Sequence, residues 1–175
     1  MKKRIVWFCI FSVLCTLLFT GCGDDNLSPK EYASALVTSY DDYCKEFDRI
    51  SEALSKGQNV TAGKLCDEAS EMLDDMTELK APKKLSDEHD SLKTICKNEK
   101  EKLSLQKELL EIISDGEENI TDEQKTRIEE IKEKLSVLSV QSDKFEKLVY
   151  DLADKYLEKK DNKPVNLLDI SQPEQ

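Results

Sequence analysis

Cysteine and histidine are the side chains of this sequence that most often carry catalytic or metal-binding chemistry. The chain has six cysteines and a single histidine, His89. No two cysteines form a Cys-x-x-Cys motif, which disfavours redox catalysis and a zinc site. A di-metal helical bundle needs Glu-x-x-His on two helices, but Ser86 stands three residues before His89. We therefore predict that His89 is structural.

Sequence motifs of common enzymes are also missing. The chain has no Gly-x-Ser-x-Gly nucleophile turn and no glycine-rich phosphate loop. Its many acidic residues have the distribution expected for helix faces that are exposed to solvent, and their spacing singles out no catalytic pair. The sequence predicts a protein that is not an enzyme, without catalytic residues, a metal site or a diffusible cofactor.

One cysteine, Cys22, stands at the end of a distinctive N-terminal stretch. The stretch begins with Lys2-Lys3-Arg4, continues with apolar residues 5–19 and ends in Phe19-Thr20-Gly21-Cys22. This arrangement resembles the lipoprotein signal peptide of bacteria, in which a lipobox precedes the acylated cysteine. The resemblance implies that residues 1–21 are removed, that diacylglycerol is attached to Cys22, and that an N-acyl chain can follow.

Two other interpretations of this stretch are an uncleaved membrane anchor and a secretory signal without lipid. The apolar run is short for a spanning helix, which needs about 20 residues. A cysteine directly after Thr20-Gly21 would be a coincidence in a lipid-free signal. We therefore expect residues 1–21 to be a signal peptide and residues 22–28 to be a lipidated cysteine with a short tether.

Three cysteines remain in the part of the chain expected to fold. Cys66 lies 16 residues before Pro82 and Cys96 lies 14 residues after it, so two antiparallel helices would place them nearly level. Cys44 would be about 10 Å away along the helix axis, too far for a bridge. Either Cys66 and Cys96 form a disulfide, or all three are buried thiols.

The net charge argues against nucleic acid as a partner. The whole chain has a formal charge of −11, and removal of residues 1–21 takes away three bases and no acid, leaving −14. A nucleic-acid-binding protein presents a basic face to phosphates instead.

The apolar spacing predicts an all-α fold, an antiparallel four-helix bundle that spans residues 29–160. The expected helices cover about 29–56, 61–80, 83–114 and 121–160. The fourth is long enough that it either overhangs its neighbours or bends near residues 139–142. Residues 161–175 are expected to form a disordered tail. Each predicted helix carries a stripe of apolar residues at helical spacing, for example Tyr40, Tyr43, Phe47 and Ile50 in the first and Leu92, Cys96 and Leu103 in the third. A largely disordered chain is the alternative, but these regular stripes argue against it.

This topology would gather lysines at the end of the bundle where the tether begins. We define the basic end as six of these: Lys80, Lys83, Lys84, Lys155, Lys159 and Lys160. One hypothesis is that the basic end lies against anionic lipid. The alternative is that helix dipoles favour lysine at helix C-termini in any case.

These features together predict an envelope lipoprotein, anchored at the extracytoplasmic face of the cell membrane, that acts by binding. Its partner would be an envelope protein or a cell-wall polymer. One alternative is a receptor for a small solute or a metal, which would need a sizeable cavity ringed by acids and tyrosines. The other is a lipoprotein of phage exclusion or host defence, which shares the small anchored helical plan.

Overall fold

A computed structural model of the protein describes residues 26–114, 119–139 and 142–157. These ranges contain helices and their connections and no strand, which confirms the prediction of an all-α fold. None of their helices has the length and apolarity that a membrane crossing requires. The helices are α1 (Pro29–Ser55), α2 (Asn59–Thr77), α3 (Ser86–Ser114), α4 (Asp122–Ser139) and α5 (Ser142–Tyr156), with a short 3-10 helix at Lys83–Leu85 before α3.

Helix α1 begins where the sequence predicted, because Ser28 and Glu31 form a capping box. The Ser28 hydroxyl accepts from the backbone N–H of Glu31 at 3.3 Å, and the Glu31 carboxylate accepts from the backbone N–H of Ser28 at 2.9 Å. Pro29 occupies the first helical position, where its missing N–H costs nothing. This local chemistry fixes the residue at which α1 starts.

The boundaries of the next two helices differ from those predicted from sequence. Helix α2 begins at Asn59 rather than at residue 61, because Gly57 adopts a left-handed conformation with φ of 68° and turns the chain early. It ends at Thr77 rather than at residue 80. The third predicted helix opens at Lys83 as expected, but its first residues are the 3-10 helix and the α-helix proper starts at Ser86.

The main core lies between α1, α2, α3 and α5. Helix α2 packs against both α1 and α3, and α5 lies against α1 and α3. Large side chains from each of the first three helices are fully enclosed, and burial of each contributes about 2 kcal/mol relative to exposure. These include Tyr32, Leu36, Leu73, Met76, Leu92 and Leu103.

The fourth predicted helix, 121–160, is described as two helices, and the boundary between them falls within residues 139–142, where a bend was one of the two alternatives expected. Helix α4 ends at Ser139 and α5 spans Ser142–Tyr156, while residues 158–160 lie outside the described ranges. The apolar stripe of the predicted helix has a gap between Leu138 and Phe145. The parts of the chain before and after this gap can therefore pack against different neighbours. Helix α5 joins the main core, whereas α4 packs chiefly on α3 around a second cluster, Leu105, Ile131 and Leu138.

Candidate functional site

The segment before α1 is joined to the connection between α2 and α3. The backbone N–H of Leu27 donates a hydrogen bond of 3.0 Å to the carbonyl oxygen of Lys80. Leu27 is also half-buried against the main core. Leu27 therefore lies beside Lys80, at the connection that carries Lys83 and Lys84.

Two lysines of the basic end converge on one aromatic ring. The Nζ atoms of Lys84 and Lys155 lie 5.0 Å and 5.2 Å from the ring centroid of Tyr156. The hydroxyl of Tyr156 raises the pKa of Lys155, with a smaller contribution from Glu88. The Lys155 ammonium lies 4.0 Å from the Glu88 carboxylate, so one acid dilutes the charge of this group.

The structure therefore brings four of the six predicted lysines to one end of the domain. Lys80, Lys83, Lys84 and Lys155 are all exposed. The other two, Lys159 and Lys160, lie outside the described residues, as do the predicted lipidation site Cys22 and the tail 161–175.

The three cysteines of the folded part are free thiols in the structure. Cys66 and Cys96 belong to the main core, whereas Cys44 is only half-buried. Burial raises the pKa of Cys96 to about 12, and it also raises the pKa of Cys66. Such thiols are poor nucleophiles and poor metal ligands at neutral pH. A disulfide between Cys66 and Cys96 stays a prediction.

The structure also contains a pocket that was not predicted from the sequence. It has a volume of about 230 Å³ and lies where α1, α3 and the start of α5 meet. Four aromatic rings dominate its lining, and two acids, a lysine and a thiol complete it. The lining residues are Tyr40, Tyr43, Cys44, Phe47, Asp48, Glu99, Lys102 and Phe145. We call this the aromatic pocket.

A buried carboxylate lies at the inner wall of the aromatic pocket. Glu99 is 5% exposed and accepts hydrogen bonds from the Tyr43 hydroxyl at 3.2 Å and from the Lys102 ammonium at 3.0 Å. The same ammonium lies 5.5 Å from the centroid of the Phe47 ring. Burial, followed by the charge of Glu99, holds the pKa of Tyr43 far above its usual range, so its hydroxyl stays protonated.

The sequence does contain a signal for Glu99. Cys96 and Leu103 are stripe positions of the third predicted helix, and Glu99 falls between them at spacings of three and four residues. Glu46 has the same relation to Tyr43 and Ile50 on α1, and it is also buried. The position of an acidic residue on an apolar stripe is therefore the signal that could have predicted both buried carboxylates.

A metal site has no support from side-chain clustering in the described residues, where no group of three or more His, Cys, Asp and Glu is suitably arranged. Comparison of the chain with protein-family models, with curated proteins and with solved structures gives no match. The basic end and the aromatic pocket are the two candidate sites on which functional proposals rest.

Proposed function

We propose that the protein is a lipid-anchored envelope lipoprotein at the extracytoplasmic face of the cell membrane and that it acts by binding. Diacylglycerol on Cys22 is the anchor. The helices form an antiparallel four-helix bundle in which α4 and α5 together are the fourth member, and the basic end of this bundle rests on anionic lipid. The observation that carries this proposal is the hydrogen bond of 3.0 Å between Leu27 N–H and the Lys80 carbonyl. It ties the segment that follows Cys22 to the basic end.

The length of the tether supports this placement. Four residues separate Cys22 from Leu27, so the distance between the two is five steps along the chain, and an extended chain covers at most about 3.6 Å per step, or about 18 Å in total. An acyl chain in the membrane would therefore keep Lys80 and its neighbours close to the lipid headgroups. Each lysine near an anionic surface contributes about 1 kcal/mol of attraction.

The positions of the lysines favour lipid contact over helix-dipole complementarity. Lys80 follows the C-terminal end of α2, and Lys155 lies in the last turn of α5, where a dipole alone would favour cations. Lys83 and Lys84 instead precede the N-terminus of α3, where the dipole favours anions. The helix dipole therefore does not explain the positive charge at these two positions, whereas attraction to anionic headgroups does.

Tyr156 supports the same orientation. The ammonium groups of Lys84 and Lys155 both lie close to its ring, which is partly exposed. Tyrosine is enriched at the level of lipid headgroups because its ring is apolar and its hydroxyl is polar. At the opposite end of the domain, Leu54 and Val60 are 42% and 72% exposed. That end would face away from the membrane, where it could contact an envelope protein or a cell-wall polymer.

The anchor is tested by the intact mass of the native protein, purified from membranes in detergent. We expect a chain that starts at Cys22 and carries added acyl mass. A chain that retains Met1, or one cut without lipid, would overturn the proposal that Cys22 is the anchor.

The contact with lipid is tested by vesicle flotation of a chain that lacks residues 1–21 and has Cys22→Ser. Binding should require anionic lipid, weaken with salt, and fall in the Lys83→Gln/Lys84→Gln double variant. The matched control is Lys64→Gln/Lys97→Gln, which removes the same charge from exposed positions on α2 and α3. Equal loss in both double variants would refute a role for the basic end.

A further inference from the structure

The aromatic pocket has the dimensions and walls of a site for a small ligand. Its volume of about 230 Å³ is below the roughly 300–1,000 Å³ of pockets that hold drug-sized molecules. Its rings pack edge to face or tilted: Tyr40 and Phe145 have centroids 4.8 Å apart, and Tyr43 and Phe145 are 5.8 Å apart. These contacts come from α1 and α5, so the pocket depends on the docking of α5.

The charges around the aromatic pocket favour a cation. Lys102 is neutralised by Glu99, which leaves Asp48 as the remaining charge of the lining. Within the described ranges, no lysine or arginine forms an ion pair with Asp48. Burial first, and then the fields of Asp41, Asp48 and Glu146, raise the pKa of the Cys44 thiol. The negative charges of acids on α1 and α5 therefore both reach Cys44, which lines the aromatic pocket.

The pocket already accommodates one ammonium group. The Nζ atom of Lys102 lies over the Phe47 ring at 5.5 Å from its centroid, a cation–π distance. The rings of Tyr40 and Phe145 line the same pocket. The Tyr40 hydroxyl stays protonated because burial raises its pKa far above neutrality, so that ring adds no charge of its own.

We propose that the aromatic pocket binds a small organic cation, a quaternary ammonium compound. The rings of Tyr40 and Phe145 contact the ammonium group, and the carboxylates of Asp48 and Glu146 attract it to the pocket. A bare metal ion is a poorer match, because four aromatic rings present few ligating oxygens. The proposal concerns a second site and holds whether or not Cys22 carries lipid.

The test is calorimetric titration of the full chain, purified in a non-ionic detergent, with choline. Its uncharged carbon isostere, 3,3-dimethylbutan-1-ol, has the same shape and is titrated in parallel. We expect choline to bind and the alcohol to bind at least about tenfold more weakly, because it lacks the cation–π attraction. Equal affinity for the two compounds, or no binding of choline, would overturn the proposal.

Variants place the bound choline in the pocket. Tyr40→Leu removes one ring and should weaken choline binding about tenfold, and Asp48→Asn should weaken it about threefold. Asp75→Asn, an exposed position of α2 outside the pocket, is the matched control and should have no effect. Asp48 is exposed, so its variant keeps the test valid even where Tyr40→Leu unfolds the chain. Unchanged binding in Asp48→Asn would place the cation elsewhere.

Discussion

The hydroxyl of Tyr32 lies 2.9 Å from Nδ1 of His89, with both side chains buried in the main core. Their rings meet nearly edge to face, with centroids 5.8 Å apart. A neutral imidazole with its proton on Nε2 accepts a hydrogen bond at Nδ1 from the tyrosine hydroxyl, which stays protonated, so both polar groups have a partner. Burial, with a further contribution from Lys93, lowers the pKa of His89, while Asp90 and a hydrogen bond with the backbone of Thr77 oppose the shift.

This pair makes the stability of the domain sensitive to mild acid. Because folding lowers the pKa of His89, the unfolded chain binds more protons as the pH falls below about 6.5. The contribution of His89 to the free energy of unfolding is complete above that pH and is lost below it, at no more than about 1.4 kcal/mol per pH unit. Urea unfolding between pH 7.5 and 5.5 measures the slope.

The control for this prediction removes both polar groups. In Tyr32→Phe/His89→Leu, no imidazole titrates and no hydroxyl is left without a partner. The slope of stability between pH 7.5 and 5.5 should therefore be smaller than in the native chain. Identical slopes in the two proteins would mean that His89 keeps its ordinary pKa after folding.

The cysteines should differ sharply in reactivity. Cys44 is half-buried, whereas Cys66 and Cys96 are 2% and 0% exposed. Alkylation of the native protein should modify Cys44 about a hundredfold faster, because the other two react only when the core opens. Mass spectrometry of the cysteine-containing peptides gives each rate. In denaturant without reductant all three should react, and protection of Cys66 and Cys96 there would reveal the disulfide instead.

How much of the fold was predictable depends on how local its causes are. Ser28 and Pro29 start α1 through contacts with the next turn, so the sequence was sufficient to place that helix. Gly57 was also recognisable as a turn, although its left-handed conformation shortens the connection more than expected. The separate partners of α4 and α5 result from packing across the domain, which the spacing of Leu138 and Phe145 only hinted at.

The candidate sites divide in the same way. The basic end followed from helix order alone, and the Leu27–Lys80 hydrogen bond joins the segment before α1 to it. The aromatic pocket needed the relative rotation of three helices, which brings Phe145 against Tyr40 and Tyr43. From the apolar stripe, Tyr40 and Phe47 were expected to be core residues. Both are only partly buried and also line the aromatic pocket.

Helix α4 should be held mainly by apolar contacts rather than by its ion pair. Ile131 is fully buried in the second cluster, and Ile131→Ala should cost about 2–4 kcal/mol. Arg127 forms a two-pronged pair with Glu108 at 2.6 and 2.8 Å, but both side chains are more than a third exposed. Arg127→Gln should cost only about 1 kcal/mol or less.

Hydrogen exchange followed by mass spectrometry distinguishes these two effects. Because α4 packs chiefly on α3, Ile131→Ala should raise exchange in α4 well before it affects α2. Arg127→Gln should leave the exchange pattern nearly unchanged. A uniform increase across all helices in Ile131→Ala would show that α4 and the main core unfold as one unit.

Two glycines offer a matched test of backbone conformation. Gly57 has a φ of 68°, so Gly57→Ala should lower the free energy of unfolding by about 1 kcal/mol even though the added Cβ meets no atom. Gly63 lies inside α2, and a Cβ there would have only ordinary contact with Lys107 Cγ at 3.8 Å. Gly63→Ala should therefore raise stability by about 0.5–1 kcal/mol. Urea unfolding of both variants measures the difference, and effects of the same sign would mean that the left-handed turn at Gly57 is not what limits substitution.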